Sequence, residues 1–287
     1  MYRFGVIGKE VLCFRFAGQC LYDKQSMIKP LRGYAVKKEE IAIQEQMNSA
    51  GGSAFEKYQR LIVGRKGLGA FVLYELAACV SGWPGAAGLW LRGVLYRRVL
   101  GSCGRGVVFG RYTTLRHPHK IQIADGVVID DGCLLDAKGE DNQGIRIGNG
   151  VFVGRNSILS CKNGDITIGD KVNIGFNCEI VSASEVLVGA GSLLAAYSYL
   201  VGADHIFSDP EKPIHEQERC SRGIRLEENV WVGAGVVVAD GQRLGRNSII
   251  GAGAVVTSDV PEYAIAAGVP ARVLRDRRET GDKPDAG

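Results

Sequence analysis

Ile147-Gly148, Val153-Gly154, Leu159; Ile168-Gly169, Ile174-Gly175, Ile180; Val188-Gly189, Leu194-Ala195, Leu200: along this stretch an aliphatic residue returns every six positions. After an interruption the pattern resumes as Leu226-Glu227, Val232-Gly233, Val238-Ala239 and then Leu244-Gly245, Ile250-Gly251, Val256. The aliphatic residue is usually followed by Gly or another small or acidic residue. Two variable positions come next, and then a small or β-branched one. A fixed short period predicts one stacked repeat architecture. An amphipathic helix fits poorly, because Gly recurs too often and β-branched residues dominate.

The breaks in phase carry as much information. Extra residues enter after Leu115, Leu159, Ile180 and Leu200, and a longer stretch separates Leu135 from Ile147. Between breaks there are three hexads. Three short strands per turn, with additions at one corner only, describe a triangular coil. Each aliphatic side chain then points into a narrow prism, and stacking buries a column that no single coil buries alone. The Gly after it serves a tight turn, through φ > 0 or close backbone approach. Cys133 and Cys178 occupy the small-residue slot and read as core.

Composition agrees. The 40 Gly among 287 residues are well above ordinary usage. A net charge of +4 implies no general affinity for polyanions, and no nucleic-acid partner is expected. The 8 Cys show no CxxC spacing, and no signal peptide precedes them. That favours a reducing cytoplasm over a disulfide framework and argues against structural zinc.

The chain before the repeat differs in character. Residues 1–60 read as an extension without a motif. Met1 to Ile7 suits a short strand, Lys37 to Met47 a short polar helix, and Gly51-Gly52-Ser53 a flexible joint. Residues 61–102 read as a hairpin of two amphipathic helices around the turn Trp83-Pro84-Gly85. Neither apolar run is a charge-free span of transmembrane length. Trp83, Trp90 and Tyr96 with Arg65, Lys66, Arg92, Arg97 and Arg98 suit peripheral contact with an anionic membrane at its cytoplasmic face. The competing reading is a helical cap on the end of the coil or against a neighbouring subunit.

The repeat, the closing stretch Ile249 to Thr257, the element Asp259-Val260-Pro261, and Ala267-Gly268-Val269-Pro270-Ala271-Arg272-Val273 resemble the hexapeptide-repeat acyltransferases. The similarity is greatest to the sugar O-acetyltransferases of polysaccharide biosynthesis, relatives of the galactoside and maltose enzymes. It implies a left-handed parallel β-helix over residues 103–276, with the helical extension before it and a flexible tail at 277–287. It also implies a homotrimer, acetyl-CoA as co-substrate, a sugar or glycan acceptor, and no metal.

The four His separate by context. His117 and His119 flank Pro118 at an early corner and read as solvent-facing or structural, and His215 lies in the long insertion. His205 ends a complete three-hexad coil and opens the longest insertion, Ile206 to Arg225. Acyl transfer to a hydroxyl needs a group that accepts a proton near neutral pH, and imidazole suits that. The resemblance gives His205 the general-base role. Glu216 or Asp209 are candidates to orient its second nitrogen, and a backbone carbonyl would serve as well. It lays Trp231, in Asn229-Val230-Trp231-Val232-Gly233-Ala234-Gly235, along the pantetheine arm of coenzyme A. Backbone N–H groups near Gly233 and Ala234 are candidates for the thioester oxygen. Ala252 and Gly253 would let the coenzyme lie close, and Arg272 and Arg275 suit its phosphates.

The acceptor side departs from the galactoside enzymes, which carry an Asn at the place of Gly175 and carboxylates near Ser182-Ala183. Asn177, Glu179, Asp204, Glu216 and Gln217 are the polar groups left to hold an acceptor. A γ-type carbonic anhydrase needs three His on zinc, and the required His pair is missing. A nucleotidyltransferase needs a Gly-rich loop before the repeat, and none is present. The remaining alternative is a non-catalytic trimeric β-helix scaffold, against which stand His205, the Trp231 element and the closing motif.

Overall fold

A computed structural model describes residues 53–217 and 219–279, together with the backbone pairing of three short strands before them, Arg15–Phe16, Gln19–Cys20 and Lys37–Lys38. The repeat forms three parallel sheets that enclose a prism. The first face stacks seven strands from Ser102–Cys103 to Arg243–Leu244. The second runs from Val108–Phe109 through Trp231–Val232 and Ile249–Ile250, and is extended by Ala264–Ala267 and Arg272–Asp276. The third stacks seven strands from Thr114–Arg116 to Val255–Val256.

The six-residue period becomes burial. Ile129, Leu135, Val153, Leu159, Ile174, Ile180, Leu200, Val232 and Val238 all point inward and are wholly buried. Each such side chain contributes roughly 1.5–3 kcal/mol on leaving water. Cys133 and Cys178 lie in the same column, as their slot suggests. The parallel pairing keeps register from coil to coil, for example Ile158↔Glu179↔Tyr199 and Leu159↔Ile180↔Leu200.

The glycines divide into two kinds. Those directly after the aliphatic residue serve close approach: a Cβ on Gly189 would sit 2.3 Å from the carbonyl carbon of Glu227 in the next coil. Positive φ falls two residues later, at Asn177, Tyr197 and Gly235 on successive coils. The phase breaks all map to the corner after the third face.

Helices cap the open end of the prism. Ser53 caps α1 (Ala54–Tyr58) in a reciprocal box with Glu56. A wider turn, Gln59–Val63, leads to α2 (Leu68–Cys79) and α3 (Gly85–Val99). The first coil exposes strand carbonyls with no further coil to receive them, a hazard that edge strands must cover. Side chains of α2 and α3 take these groups. Tyr96 Oη donates to Thr113 O at 2.9 Å, Tyr74 Oη to Leu115 O at 2.8 Å, and Arg92 Nε to Phe109 O at 2.9 Å. The Tyr96 ring meets Phe109 edge-on at 5.1 Å.

Several expectations change here. The cap reading of the hairpin holds for its inner face. Arg92 is buried against carbonyls and is not a membrane-facing cation. His117 is not solvent-facing: it is buried, its N–H donates to Ile62 O, and its Nε2 bonds the carbonyl of Arg60. Lys37–Lys38 is strand rather than helix, while the rest of that predicted helix and the predicted strand at 1–7 lie outside the described residues. The tail is anchored longer than expected, since Arg277 N–H donates to Tyr263 O at 2.7 Å and its guanidinium to Asn247 O at 3.1 Å.

Candidate active site

The long insertion leaves the prism from the third face, at Tyr199–Gly202, and immediately forms a small antiparallel sheet. Asp204–His205 pairs with Arg219–Ser221, placing His205 opposite Arg219. The strand Lys37–Lys38 adds on the other side of Arg219–Ser221. The insertion is built rather than loose. Asp240 on the next coil accepts from the N–H groups of Arg222 at 2.7 Å and Gly223 at 3.0 Å, and from Ser221 Oγ at 3.1 Å. Burial pushes its carboxyl above the usual range against those donors.

His205 sits at the root of this insertion, with its N–H donating to Asp204 Oδ1 at 2.8 Å. Its Nδ1 is buried and has no partner among the described residues. Neither candidate acid orients it. Glu216 lies 3.8 Å from His215, and Asp209 accepts from Glu211 N–H at 3.0 Å. The Gln217 amide donates to Asp209 O at 2.9 Å and Lys212 O at 2.8 Å, so this side chain staples the insertion instead of facing an acceptor.

The cofactor candidates gather on the second face and the corner after it. Trp231 is half exposed on the outer surface of its strand, in register with Ile249, Ile265 and Arg275. That row brings Trp231 and Arg275 onto one surface, three strands apart, or roughly 14 Å. Arg272 pairs one end further along, and its guanidinium folds back on Ala271 O. Gly233 N–H donates to Ile250 O at 2.8 Å and is engaged in the ladder. Of the two proposed amides only that of Ala234 remains for an oxyanion. At Gly235 and Gly253 a Cβ would meet nothing, so the corner is open.

The acceptor candidates divide between two corners. Asp204 and Glu216 belong to the insertion. Asn177 lies on the corner of Ala234 and Ala252, and Glu179 stands on the third face between them. That face is four residues wide at Tyr199–Gly202, roughly 13 Å. One chain therefore holds His205 and the cofactor corner apart.

Sequence reasoning missed two aromatics beside Asn177. Phe176 and Tyr197 are both exposed and meet edge-on at 5.9 Å. Tyr197 holds φ 62°, where the coils on either side use Asn177 and Gly235; besides Tyr197, the first coil's Tyr112 also puts a bulky residue in this slot. A bulky residue in that conformation was the available signal.

The matches to family models fall on the same coil. The family model described as bacterial transferase hexapeptide (six repeats) matches residues 223–258, and that described as hexapeptide repeat of succinyl-transferase matches residues 165–200. Both matches lie on the stacked coil, which thus carries hexapeptide repeats of the kind these models describe. It is similar to a probable acetyltransferase of Mycobacterium tuberculosis, with 31% identity over 164 residues, covering 57% of this chain and 54% of that protein. It is also similar to the galactoside O-acetyltransferase of Escherichia coli, with 38% identity over 117 residues, covering 39% of this chain and 54% of that protein. The chain thus spans about half the length of these relatives. A crystal structure of a hexapeptide-repeat acetyltransferase from Vibrio cholerae, complexed with acetyl coenzyme A, matches at 22% identity and a TM-score of 0.40, covering 78% of this chain and 98% of that one.

Proposed function

We propose that this protein is an acetyl-CoA-dependent O-acetyltransferase acting on a sugar hydroxyl in polysaccharide or lipid-linked glycan biosynthesis, with His205 as general base. The observation that carries the reading is His205 at the root of a braced insertion, on a coil whose relatives are named acetyltransferases. In the reaction the acceptor oxygen attacks the thioester carbonyl while the imidazole takes the hydroxyl proton. The tetrahedral oxyanion is met by Ala234 N–H. Collapse expels the coenzyme thiolate, which recovers the proton from the imidazolium. No metal enters this scheme.

The site is proposed to close between copies in a cyclic homotrimer. What supports this is the separation of the two corners and the character of the faces. The outer row of the second face reads Val108, Val128, Phe152, Asn173, Leu193, Trp231, Ile249 and Ile265. The first face instead presents Gln122, Arg146, Thr167, Leu187, Arg225 and Arg243. An exposed apolar row of that length suits a subunit contact.

The cap is proposed to hold the trimer on an anionic membrane surface at its cytoplasmic side. No helix among the described residues is long and apolar enough to cross a membrane. Leu68, Val72, Leu76, Trp83, Leu89 and Trp90 are exposed on the cap. Apart from the buried Arg92, residues 53–101 carry 6 Lys and Arg, namely Lys57, Arg60, Arg65, Lys66, Arg97 and Arg98, against 2 Glu. Both Glu are engaged, Glu56 by Ser53 and Glu75 by Tyr58.

The test of the chemistry is His205→Ala. Turnover of acetyl transfer should fall roughly 10²–10⁴-fold, with acetyl-CoA affinity by calorimetry nearly unchanged. Near wild-type turnover would remove His205 from the mechanism.

A further inference from the structure

The cap fixes which way the prism stands on a bilayer. Strand carbonyls of the first coil point along the prism axis, and α2 and α3 lie across them, since Tyr74, Arg92 and Tyr96 reach those carbonyls from above. The buried side of α2 carries Tyr74 and Ala77. Leu68, Val72 and Leu76, spaced four apart, line the opposite side. On α3 the buried side carries Gly88, Arg92, Tyr96 and Val99, and Trp90 with Arg97 faces away. The apolar surface with its basic rim is therefore the end of the prism, not one of its flanks.

Resting on the membrane reading above, we infer that the prism stands end-on and that its acceptor is a lipid-linked glycan of several sugars, acetylated on a sugar remote from the lipid. The strand that leads to His205 is the fifth of its face, counted from the cap. Four spacings of about 4.8 Å place it about 19 Å above the first coil. The helix layer adds roughly 10 Å. His205 then works on the order of 30 Å from the lipid surface. Trp231, on the sixth strand of its face, stands about 24 Å above the first coil. A sugar attached directly to a lipid phosphate stays at the headgroups and does not reach that height. A chain of several sugars does.

The three native tryptophans supply the test, because Trp83 and Trp90 lie on the cap and Trp231 on the flank. The full chain is mixed with vesicles of anionic phospholipid whose acyl chains carry bromine, a contact quencher. Flotation should carry the protein with the vesicles, and fluorescence should be quenched. Trp83→Phe and Trp90→Phe together should abolish the quenching, and Trp231→Phe should leave the quenched signal intact. A ladder of lipid-linked glycans extracted from the host's membranes, placed in the same vesicles with acetyl-CoA, should gain acetyl only in members of several sugars.

Failure to float removes the membrane reading itself. Flotation with quenching that disappears in Trp231→Phe lays the second face on the bilayer and overturns the end-on inference alone. So does flotation without any quenching, which leaves the cap face to another occupant, such as a second copy. Acetylation of the one-sugar member, or of no member, overturns the assignment of the acceptor.

Discussion

Three glycines, each changed to Ala, should move stability in different directions, and the structure says by how much. Gly189 lies under the next coil: its new Cβ would stand 2.3 Å from Glu227 C, 2.4 Å from Glu227 O and 2.6 Å from Glu228 N, all backbone. Ordinary contact requires about 1 Å more, roughly a fifth of the strand spacing. Neither coil can yield without breaking its ladder, so Gly189→Ala should cost about 1–3 kcal/mol, the usual price of overpacking. Gly235 has open space but a φ of 66°, so only the left-handed backbone penalty applies, about 1–2 kcal/mol. Gly93 lies inside α3 with nothing near its Cβ position and an ordinary helical backbone. Gly93→Ala should stabilise by roughly 0.5–1 kcal/mol. Thermal unfolding read by circular dichroism should rank Gly93→Ala above wild type, and both other variants below it. A Gly189→Ala protein as stable as wild type would refute the close stacking of the fifth and sixth coils.

Two further outcomes follow from strained or buried groups. Burial holds His117 below the usual imidazole range and His119 at about 4, with Arg65 adding repulsion at His119. The unfolded chain then binds more protons than the folded one between the ordinary imidazole value of about 6.5 and the folded value, so stability conferred by the neutral rings is present above that ordinary value and lost as pH falls through the window. Chemical denaturation from pH 7 to 4.5 should show this loss in wild type and a smaller one in His117→Gln/His119→Gln. Tyr197→Asn should raise stability by about 1 kcal/mol by relieving a left-handed bulky residue, measured in the same assay; a loss would mean that the tyrosine ring itself stabilises the corner.

The coil is legible in the sequence because its cause is local. An inward position recurs every six residues, so Leu159, Ile180 and Leu200 announce their stacking before any partner is known. The insertions are legible for the same reason, since they break that count. His205 is legible as the residue at which the longest break begins. The cap is different. Arg92 and Tyr96 bind backbone carbonyls of Phe109 and Thr113, and carbonyls leave no mark in a sequence. Arg92 thus read as one more surface cation among Arg97 and Arg98. Gln217 was misplaced likewise, because its partners are the carbonyls of Asp209 and Lys212. Gly233 shows the complementary limit: its amide looks available from the motif, yet the next coil takes it. Phe176 and Tyr197 stand in slots usually given to small or amide residues, and only the turn geometry shows that both are exposed and touching.

The central claim is a catalytic site shared between copies, with His205 from one and the open corner from another. It can be tested by complementation. His205→Ala removes the proposed base, and Ala252→Trp fills the exposed corner where the coenzyme is proposed to lie. Each variant alone should be inactive. Co-expressed with two different affinity tags and purified through both, the mixed assemblies should regain acetyl transfer from labelled acetyl-CoA to the host's lipid-linked glycan. In a cyclic trimer that holds both variants, one of the three interfaces has both intact halves, so about a third of the sites are whole. Recovery near that level is the predicted result. Mixed assemblies as inactive as either parent would contradict it, placing His205 and Ala252 in the site of a single chain.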